Sequence, residues 1–258
     1  MPNDFAPIDL VVVPCLSDNY AFLVHNRDTG ETALVDAPEA APIKGALKAK
    51  GWTLTDILIT HHHNDHIGAV ADLRDGARVI GAARDAHRLP PLDVQVADGD
   101  RIEVCGVATH VMDVSGHTVG HIAFHMPEPE LLFTADSLMA LGCGRLFEGT
   151  PAQMWESLLK LRALPGDTIV CSGHEYTESN ARFALSLDPD NAALISRYNG
   201  IKAARAAGRP TVPSALDEEM RTNPFLRADD PAMKAAIGMT AASDVDVFAE
   251  IRVRKDKF

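Results

Sequence analysis

The run THHHNDH at residues 60–66 contains four histidines, and three of them are candidate metal ligands together with an aspartate: His61, His63, Asp65 and His66. Imidazole nitrogens and carboxylate oxygens are ligands that zinc, iron and manganese accept in proteins. The apolar run directly before it, residues 56–59, predicts a buried strand that would deliver these side chains to a loop at its end. Core packing gives no reason for so many polar side chains there. The spacing therefore predicts a metal site rather than a polar loop rich in histidine.

Three more residues of metal-ligand type follow predicted strands further along the chain. His117 lies in the run SGHTVGH, directly after a predicted strand. Asp136 follows the apolar residues 131–133, and His174 follows the apolar residues 168–170. Loops at the ends of sheet strands commonly carry ligands and catalytic groups. We therefore expect these residues to complete the site that the first cluster begins.

The elements that must position these residues are predicted from hydrophobic periodicity and turn residues. Strands are predicted at 9–13, 21–25, 32–35, 56–60, 78–80, 101–105, 107–114, 121–125, 131–134 and 168–171. Helices are predicted at 40–50 and 151–161, the second with Thr150 as its N-cap and Pro151 in its first turn. This β-rich part, residues 1–172, is expected to form the metal-binding domain.

From about residue 176 the pattern is helical, and no strand pattern competes there. Helices are predicted at 190–207, 214–221, 230–237 and 243–254. The first of them would carry one apolar face and end at Gly208. That face consists of Leu194, Ile195, Tyr198 and Ile201. Residues 173–258 are therefore expected to form a helical, substrate-binding domain.

Composition bears on the partners and the compartment. The 258-residue chain is 46% hydrophobic and 23% charged, and no apolar run reaches the length of a membrane span. Residues 1–5 lack the basic and apolar regions of a signal peptide. The net charge of −12 disfavours nucleic acid and membranes as partners. Reduced thiols in a cytoplasm are expected, because the four cysteines are widely spaced and form no CxxC pair: Cys15, Cys105, Cys143 and Cys171. A monomer is also expected, although no sequence feature fixes the oligomeric state.

The order and placement of these motifs resemble a known superfamily. An HxHxDH run, a GHTxGH run, an aspartate after an apolar strand and a later Gly-His pair follow one another as in the metallo-β-lactamase superfamily. Five further segments are similar to the hydroxyacylglutathione hydrolases, also called glyoxalase II, and extend the resemblance to essentially the whole chain. They are PCLSDNY at 14–20, GCGRLFEG at 142–149, GHEYT at 173–177, NPFLR at 223–227 and RVRKDKF at 252–258.

This resemblance implies an α/β fold, a four-layer αβ/βα sandwich of two mixed sheets followed by a C-terminal helical domain. It also implies two divalent metal ions, with zinc expected first and iron or manganese as alternatives. One ion would be held by His61, His63 and His117, and the other by Asp65, His66 and His174, with Asp136 bridging both. His62 would lie between ligands without being one. His121 would be either an outer partner of a ligand or a hydrogen-bonded core histidine.

The implied activity is hydrolysis of S-D-lactoylglutathione and related 2-hydroxyacyl thioesters to D-lactate and glutathione, the second step of methylglyoxal detoxification. Two divalent ions about 3.5 Å apart hold a bridging water and lower its pKa to near 7, which supplies a hydroxide. Asp65 and Asp136 would serve this hydroxide as metal ligands, and a proton-accepting role for Asp65 is the alternative. A thioester suits this chemistry, because its thiol leaving group has a pKa around 8.5 and departs without a strong acid.

The resemblance assigns glutathione contacts to five residues: Arg145, Phe147, Tyr176, Arg252 and Lys255. Arg252 and Lys255 are three apart on a predicted helix, so both could reach one carboxylate. The alternative is that these cations complement the dipole at the C-terminal end of the helix. Relatives commonly carry Lys and Tyr where this chain has Arg145 and Phe147. Because Phe147 lacks a hydroxyl, a hydrogen bond worth about 1 kcal/mol would be missing, which affects glutathione affinity rather than the reaction.

Two other functions are weighed against this one. A mononuclear-iron, glutathione-dependent sulfur dioxygenase is similar around the metal motif but would use one His/His/Asp triad and leave several of the seven ligands idle. A metal-binding or regulatory module on the same fold would be expected to have lost ligands, and no ligand is visibly lost here. Both alternatives are therefore less favoured than thioester hydrolysis.

Overall fold

The computed structural model describes residues 7–258, so the segment in which no signal peptide is expected, residues 1–5, lies outside the described residues. The chain divides into two compact units. The first ends at Asp113 and also includes Gly120–Ala135, and the second comprises Val114–Val119 and Asp136–Phe258. Among the described helices, none is both long enough and apolar enough to cross a membrane.

The first unit contains ten strands and three helices within the described residues. They are β1 (Ile8–Cys15), β2 (Asn19–Asn26), β3 (Thr32–Val35), α1 (Ala40–Lys50), β4 (Asp56–Leu58), α2 (Asn64–Ile67), α3 (Val70–Leu73), β5 (Arg78–Ala82), β6 (Val94–Val96), β7 (Arg101–Val104), β8 (Val107–Asp113), β9 (Ile122–Met126) and β10 (Leu131–Ala135). A short 3-10 helix spans Ala83–Asp85.

Strands β1 to β6 form a mixed sheet in chain order, antiparallel from β1 to β3 and parallel from β3 to β6. Strands β7 to β10 pair antiparallel in a second sheet. Strands β3 and β4 are buried along their whole length, as expected for strands covered on both faces. Helix α1 covers one face of the mixed sheet, where Ile43 packs in a cluster with Leu23 and Ile57. On the other face, Phe22 of β2 meets Phe133 of β10 edge to face, with ring centroids 5.7 Å apart.

The second unit is mainly helical. Its elements are β11 (Leu138–Met139), β12 (Gly142–Cys143), α4 (Pro151–Arg162), β13 (Ile169–Ser172), α5 (Thr177–Leu187), α6 (Ala192–Ala206), β14 (Ser214–Ala215), α7 (Leu216–Thr222), α8 (Pro231–Ala236) and α9 (Asp244–Lys257). A second 3-10 helix spans Pro224–Leu226. Strands β11 and β12 form a hairpin, and β13 pairs antiparallel with β14.

Aromatic side chains form the core of the second unit. Phe225 lies edge-on to Phe248 of α9, with centroids 5.9 Å apart, and Trp155 of α4 lies 6.0 Å from the same phenylalanine. Phe183 of α5 stacks on Phe225 at 6.1 Å. Helices α4, α5 and α9 are therefore joined through one cluster of rings.

Most predicted elements occur, and their ends shift by a few residues. All ten predicted strands are present, and α1 begins and ends at the predicted residues. The predicted cap of α4 is confirmed: Thr150 accepts from Gln153 N, and the Gln153 side chain accepts from Thr150 N, a capping box. Elements that the sequence did not predict are helices α2, α3 and α5 and strands β6, β11 and β12.

Two predictions about the helical segment are wrong. The helix predicted over 214–221 begins at Leu216, because Ser214 and Ala215 pair with β13 as strand β14; this also corrects the expectation of no strand after residue 176. Ile195 does not lie on the buried face of α6, since it is 41% exposed whereas Leu194 is fully buried. Strand β14 was missed because two residues are too few to show an alternating pattern, and such a strand forms only through its partner.

Candidate metal centre

The histidine cluster of the first unit lies in the loop after β4 and in the first residues of α2. His63 is the N-cap of α2, so Asp65 and His66 lie in its first turn. His61 Nε2 lies 3.2 Å from His63 Nδ1, and His66 Nε2 lies 3.6 Å from the Asp65 carboxylate. His61 and His66 are fully buried. The structure therefore brings all four predicted donors of this unit together at the end of a buried strand.

A buried aspartate at the end of β3 orients this cluster. The Asp36 carboxylate accepts hydrogen bonds from Thr60 N (2.9 Å) and Thr60 Oγ1 (2.8 Å), and it lies 2.8 Å from His66 Nδ1. Thr60 Oγ1 in turn lies 3.0 Å from His61 Nδ1. Because Nδ1 of each ring faces an acceptor, each neutral ring has its lone pair on Nε2, the arrangement usual for histidines that bind a metal.

Asn19 and His121 also act on the cluster. Asn19 Nδ2 donates to the Asp65 carboxylate at 3.0 Å and to Asp65 O at 3.1 Å, which fixes the direction of that side chain. The His121 ring stacks on His61, with centroids 4.5 Å apart and planes 13° apart. Sequence reasoning missed Asp36 and Asn19 as site residues. Asp36 had the same signal as the predicted ligands, a carboxylate directly after a short apolar strand.

The second unit holds the other three predicted ligands around one carboxylate. His117 Nε2 lies 3.3 Å from Asp136 Oδ2, and His174 Nε2 lies 3.3 Å from Asp136 Oδ1. All three side chains are buried. Each oxygen of Asp136 therefore faces a different histidine, as a carboxylate that bridges two ions would require.

The hairpin β11–β12 and the residues after it pack closely against these ligands. His117 Nδ1 lies 2.8 Å from Arg145 O, so this ring also donates through Nδ1 and keeps Nε2 for a metal. A Cβ on Gly144 would lie 2.1 Å from Asp136 O, so only glycine fits between the two ligands. The His174 ring stacks on Tyr176, with centroids 4.8 Å apart.

A cavity of about 480 Å³ opens in the second unit beside His117 and Asp136. The five predicted substrate contacts all line it, together with residues of the hairpin, of α5 and of α9. The lining residues are His117, Asp136, Met139, Cys143, Gly144, Arg145, Phe147, Tyr176, Ser179, Asn180, Arg252, Lys255, Asp256 and Phe258. This cavity has the size of a small-molecule site, with both aromatic and charged groups on its wall.

The three cations of this cavity differ in their surroundings. Arg252 is buried and donates through Nη1 to Cys143 O at 2.9 Å and through Nη2 to Asp256 at 2.8 Å. Arg145 is exposed, and its Nε lies 3.8 Å from the Asp256 carboxylate. Burial, with the nearby guanidinium of Arg252 as the next contribution, lowers the pKa of Lys255 to about 8. Lys255 therefore changes charge close to neutral pH.

The Phe147 side chain lies at the mouth of the cavity, next to His117. Its side chain is 64% exposed, and its ring lies edge-on to His117 with centroids 5.3 Å apart. Its backbone N donates to His117 O at 3.2 Å. Phe147 thus covers a predicted ligand and contributes an apolar face to the mouth of the cavity.

The donor set fits divalent metals. Three rings, His61, His66 and His117, turn Nδ1 towards a protein oxygen and keep Nε2 as a lone pair, and carboxylates stand beside them. Neutral imidazoles with carboxylates suit zinc, iron or manganese. The residues present therefore match the metal chemistry expected from the sequence.

Comparison with known proteins adds two family matches that together cover nearly the whole chain. Residues 16–174 match the model of the metallo-beta-lactamase superfamily, and residues 175–258 match that of the hydroxyacylglutathione hydrolase C-terminus. A hydroxyacylglutathione hydrolase from Ruegeria pomeroyi is 65% identical over 254 residues, which cover 98% of this chain and 100% of that protein.

Two solved structures share the fold. The crystal structure of ETHE1 from Myxococcus xanthus is 26% identical, with a TM-score of 0.67 over 95% of this chain and 89% of that chain. A protein solved in a di-iron-bound form is also 26% identical, with a TM-score of 0.60 over 84% of this chain and 100% of that chain.

Proposed function

Because this chain belongs to the hydroxyacylglutathione hydrolases of the metallo-β-lactamase superfamily, we propose that it hydrolyses S-D-lactoylglutathione to D-lactate and glutathione. The observation that carries this proposal is the 65% identity to a hydroxyacylglutathione hydrolase along 98% of the chain. The chain is accordingly a thioester hydrolase, and the expected fold class, a metallo-β-lactamase fold with a C-terminal helical region, is confirmed. The sulfur dioxygenase alternative has less support.

The family and the clusters of histidine and aspartate indicate a divalent metal site. We propose that it holds two ions, with zinc as the expected metal and iron or manganese as alternatives. The proposed ligands are His61, His63 and His117 for one ion, Asp65, His66 and His174 for the other, and Asp136 as the bridge. Support comes from the residue types, imidazoles and carboxylates, and from the di-iron form of a protein of the same fold.

Two bound divalent ions would supply a nucleophile at neutral pH and polarise the thioester carbonyl. The chain's own residues hold the donors in place for this. Asp136 offers one oxygen to each side, and Asn19 fixes Asp65 by two hydrogen bonds, which favours a ligand role for Asp65 over proton transfer. No acid is needed for the leaving thiolate, because the parent thiol has a pKa near 8.5.

We propose that the 480 Å³ cavity receives the glutathione part of the substrate. Lys255 and the exposed Arg145 are the cations that would meet its carboxylates. Arg252 also lines the cavity, but it is buried and already bonded to Cys143 O and Asp256. Tyr176 and Phe147 would form the apolar sides. The division into a metal-binding part, 1–172, and a substrate-binding helical part, 173–258, is proposed with the same support, since the two family matches meet between residues 174 and 175.

We further propose a monomer that acts in the cytoplasm, without nucleic acid or membrane partners. The net charge of −12 is unsuited to polyanionic partners. All four cysteines are free and buried, which suits a reducing compartment.

The test is the initial rate of S-D-lactoylglutathione hydrolysis by the metal-loaded protein, followed by loss of the thioester absorbance. We expect a kcat/KM of at least roughly 10⁴ M⁻¹s⁻¹, within the ordinary range of enzymes. No turnover by protein shown to carry two ions per chain would reject the glutathione thioester as substrate. Oxygen uptake with a glutathione persulfide would then favour the dioxygenase.

A further inference from the structure

The backbone of the β11–β12 hairpin is hydrogen-bonded by buried side chains of the helical segment. Asn223 Nδ2, at the C-cap of α7, donates to Met139 O at 3.1 Å and to Gly142 O at 3.0 Å. Asn180 Nδ2 of α5 donates to Ala140 O at 3.0 Å. Both asparagines are buried, so these bonds do not compete with water.

Glu219 and Arg252 bond two further residues of the hairpin, one in its turn and one at the end of β12. Leu141 N donates to Glu219 Oε2 at 2.8 Å, and Arg252 Nη1 donates to Cys143 O at 2.9 Å. Leu141 has a φ of 57°, a left-handed conformation that is strained for leucine and that the bond to Glu219 helps to retain. Side chains from α5, α7, its C-cap and α9 thus hold five consecutive residues of the hairpin.

The Glu219 carboxylate is itself fully engaged. It accepts from Ser214 Oγ at 2.6 Å, from Asn223 Nδ2 at 3.2 Å and from the guanidinium of Arg197. A buried carboxylate with this many donors is a rigid support, because any movement would leave a buried charge without its partners.

The hairpin is joined directly to two proposed metal ligands. Asp136 precedes β11 by two residues, and Gly144 N donates to Asp136 O at 2.9 Å at the base of the hairpin. The next residue, Arg145, accepts through its carbonyl oxygen from His117 Nδ1 at 2.8 Å. A displacement of the hairpin would therefore shift the Asp136 backbone and the acceptor that orients the His117 ring together.

We propose that Asn180, Glu219 and Asn223 are positioning residues of the metal centre, which act by fixing the hairpin that orients Asp136 and His117. This inference rests on the ligand roles proposed for those two residues. It gives the helical segment a second task beside substrate binding, namely to hold ligands whose motifs lie in the preceding part of the chain. Groups that orient metal ligands from outside typically change metal affinity 10–100-fold when they are removed.

The test measures Co²⁺ affinity of the full-length apo-protein by competition with a chromophoric chelator, without substrate. Asn180→Ala removes the hydrogen bond from Asn180 Nδ2 to Ala140 O. Gly142→Ala disturbs the same bond from the hairpin, because its Cβ would lie 2.5 Å from Asn180 Nδ2. We expect both variants to bind Co²⁺ about tenfold more weakly and to change the visible absorption of the bound ion.

Two matched controls lie in the same unit, at residues of α6 and its N-cap that are outside the hydrogen bonds that hold the hairpin. Asn191→Ala removes the N-cap of α6, which bonds Leu194 N and Arg221 O. Gly200→Ala, also in α6, places its Cβ in open space. We expect Asn191→Ala to lower Tm, because it removes an N-cap, while both controls retain wild-type Co²⁺ affinity and spectrum.

Wild-type affinity and spectrum in both Asn180→Ala and Gly142→Ala would overturn the inference. So would an affinity loss in Asn191→Ala as large as that in Asn180→Ala, because the effect would then follow stability alone. A wild-type protein that binds no Co²⁺ would instead reject the proposed metal ligands, an outcome distinguishable from the other two.

Discussion

At the scale of single residues, protein oxygens set the orientation of three histidines that are predicted to be metal ligands. Thr60 Oγ1, Asp36 and Arg145 O each face the Nδ1 atom of one predicted ligand. Such partners fix the tautomer and the ring direction before any ion is bound, so less order has to be imposed on binding.

Replacing Asp136 with alanine should remove the one carboxylate that faces both His117 and His174. We expect metal content to fall and thioester hydrolysis to be abolished, because each ion would lose a ligand. Metal per chain, measured by plasma emission spectrometry, and turnover check this. Asp229→Ala is the control, a carboxylate of the same unit paired with Arg162. Full metal loading with retained activity in the Asp136 variant would contradict the bridging role.

Loss of the positive charge of Lys255 should weaken substrate binding at alkaline pH. Burial lowers its pKa to about 8, so the side chain is charged below this pH and neutral above it. We expect kcat/KM to decline as the pH rises through about 8. Lys255→Arg should remove the decline, because arginine keeps its charge. An unchanged alkaline limb in the arginine variant would show that another group titrates there.

At the scale of elements, short segments at the ends of strands carry the predicted site. In the first unit, four donors lie between the end of β4 and the first turn of α2. In the second unit, the β11–β12 hairpin and the residue after it orient Asp136 and His117. Seven residues separate that hairpin from helix α4, which begins at Pro151 with a complete capping box. The cap therefore fixes the end of the segment that includes Arg145 and Phe147.

Thr150→Ala should destabilise the apo-protein through this cap. The substitution removes the acceptor for Gln153 N and leaves an N–H of the first turn without its partner. We expect a loss of about 1 kcal/mol in the free energy of unfolding, measured by urea denaturation. Thr150→Ser keeps the hydroxyl and should lose much less. Equal stabilities of the alanine and serine variants would mean that the capping bond contributes little.

At the scale of the whole molecule, the thiols are placed where they do not react. Burial raises the pKa of Cys15 to about 11 and of Cys105 to about 12, and it also raises the pKa of Cys143 and Cys171. Since the thiolate is the reactive form, burial and these shifts both slow attack by external reagents.

We therefore expect no reaction of the native protein with Ellman's reagent at pH 8 on the time scale of minutes. In guanidinium chloride, all four thiols should react, because all four are free. Rapid modification of one thiol in the native protein would reveal local opening around that cysteine. A yield below four in denaturant would indicate a disulfide and would contradict the reduced state.

The sequence alone determined ten of the fourteen described strands, the residue types of the predicted metal site, and the family. Period-2 apolar runs and short spacings encode local structure, which is why α1, the ten predicted strands and the cap at Thr150 could be read directly. HxHxDH and GHTxGH are local patterns too, and they were enough to predict a metal site.

Only the tertiary structure decided what holds those ligands. Asp36 bonds His66 thirty residues away, Asn223 bonds Met139 across 84 residues, and Arg252 bonds Cys143 O across 109. The boundary between strand β14 and helix α7 and the exposure of Ile195 were also decided at this level. The physical reason is that a hydrogen bond depends on distance in space, while a motif records only distance along the chain. Which polar side chain finds which backbone atom is settled when the hydrophobic core closes and brings remote segments within about 3 Å.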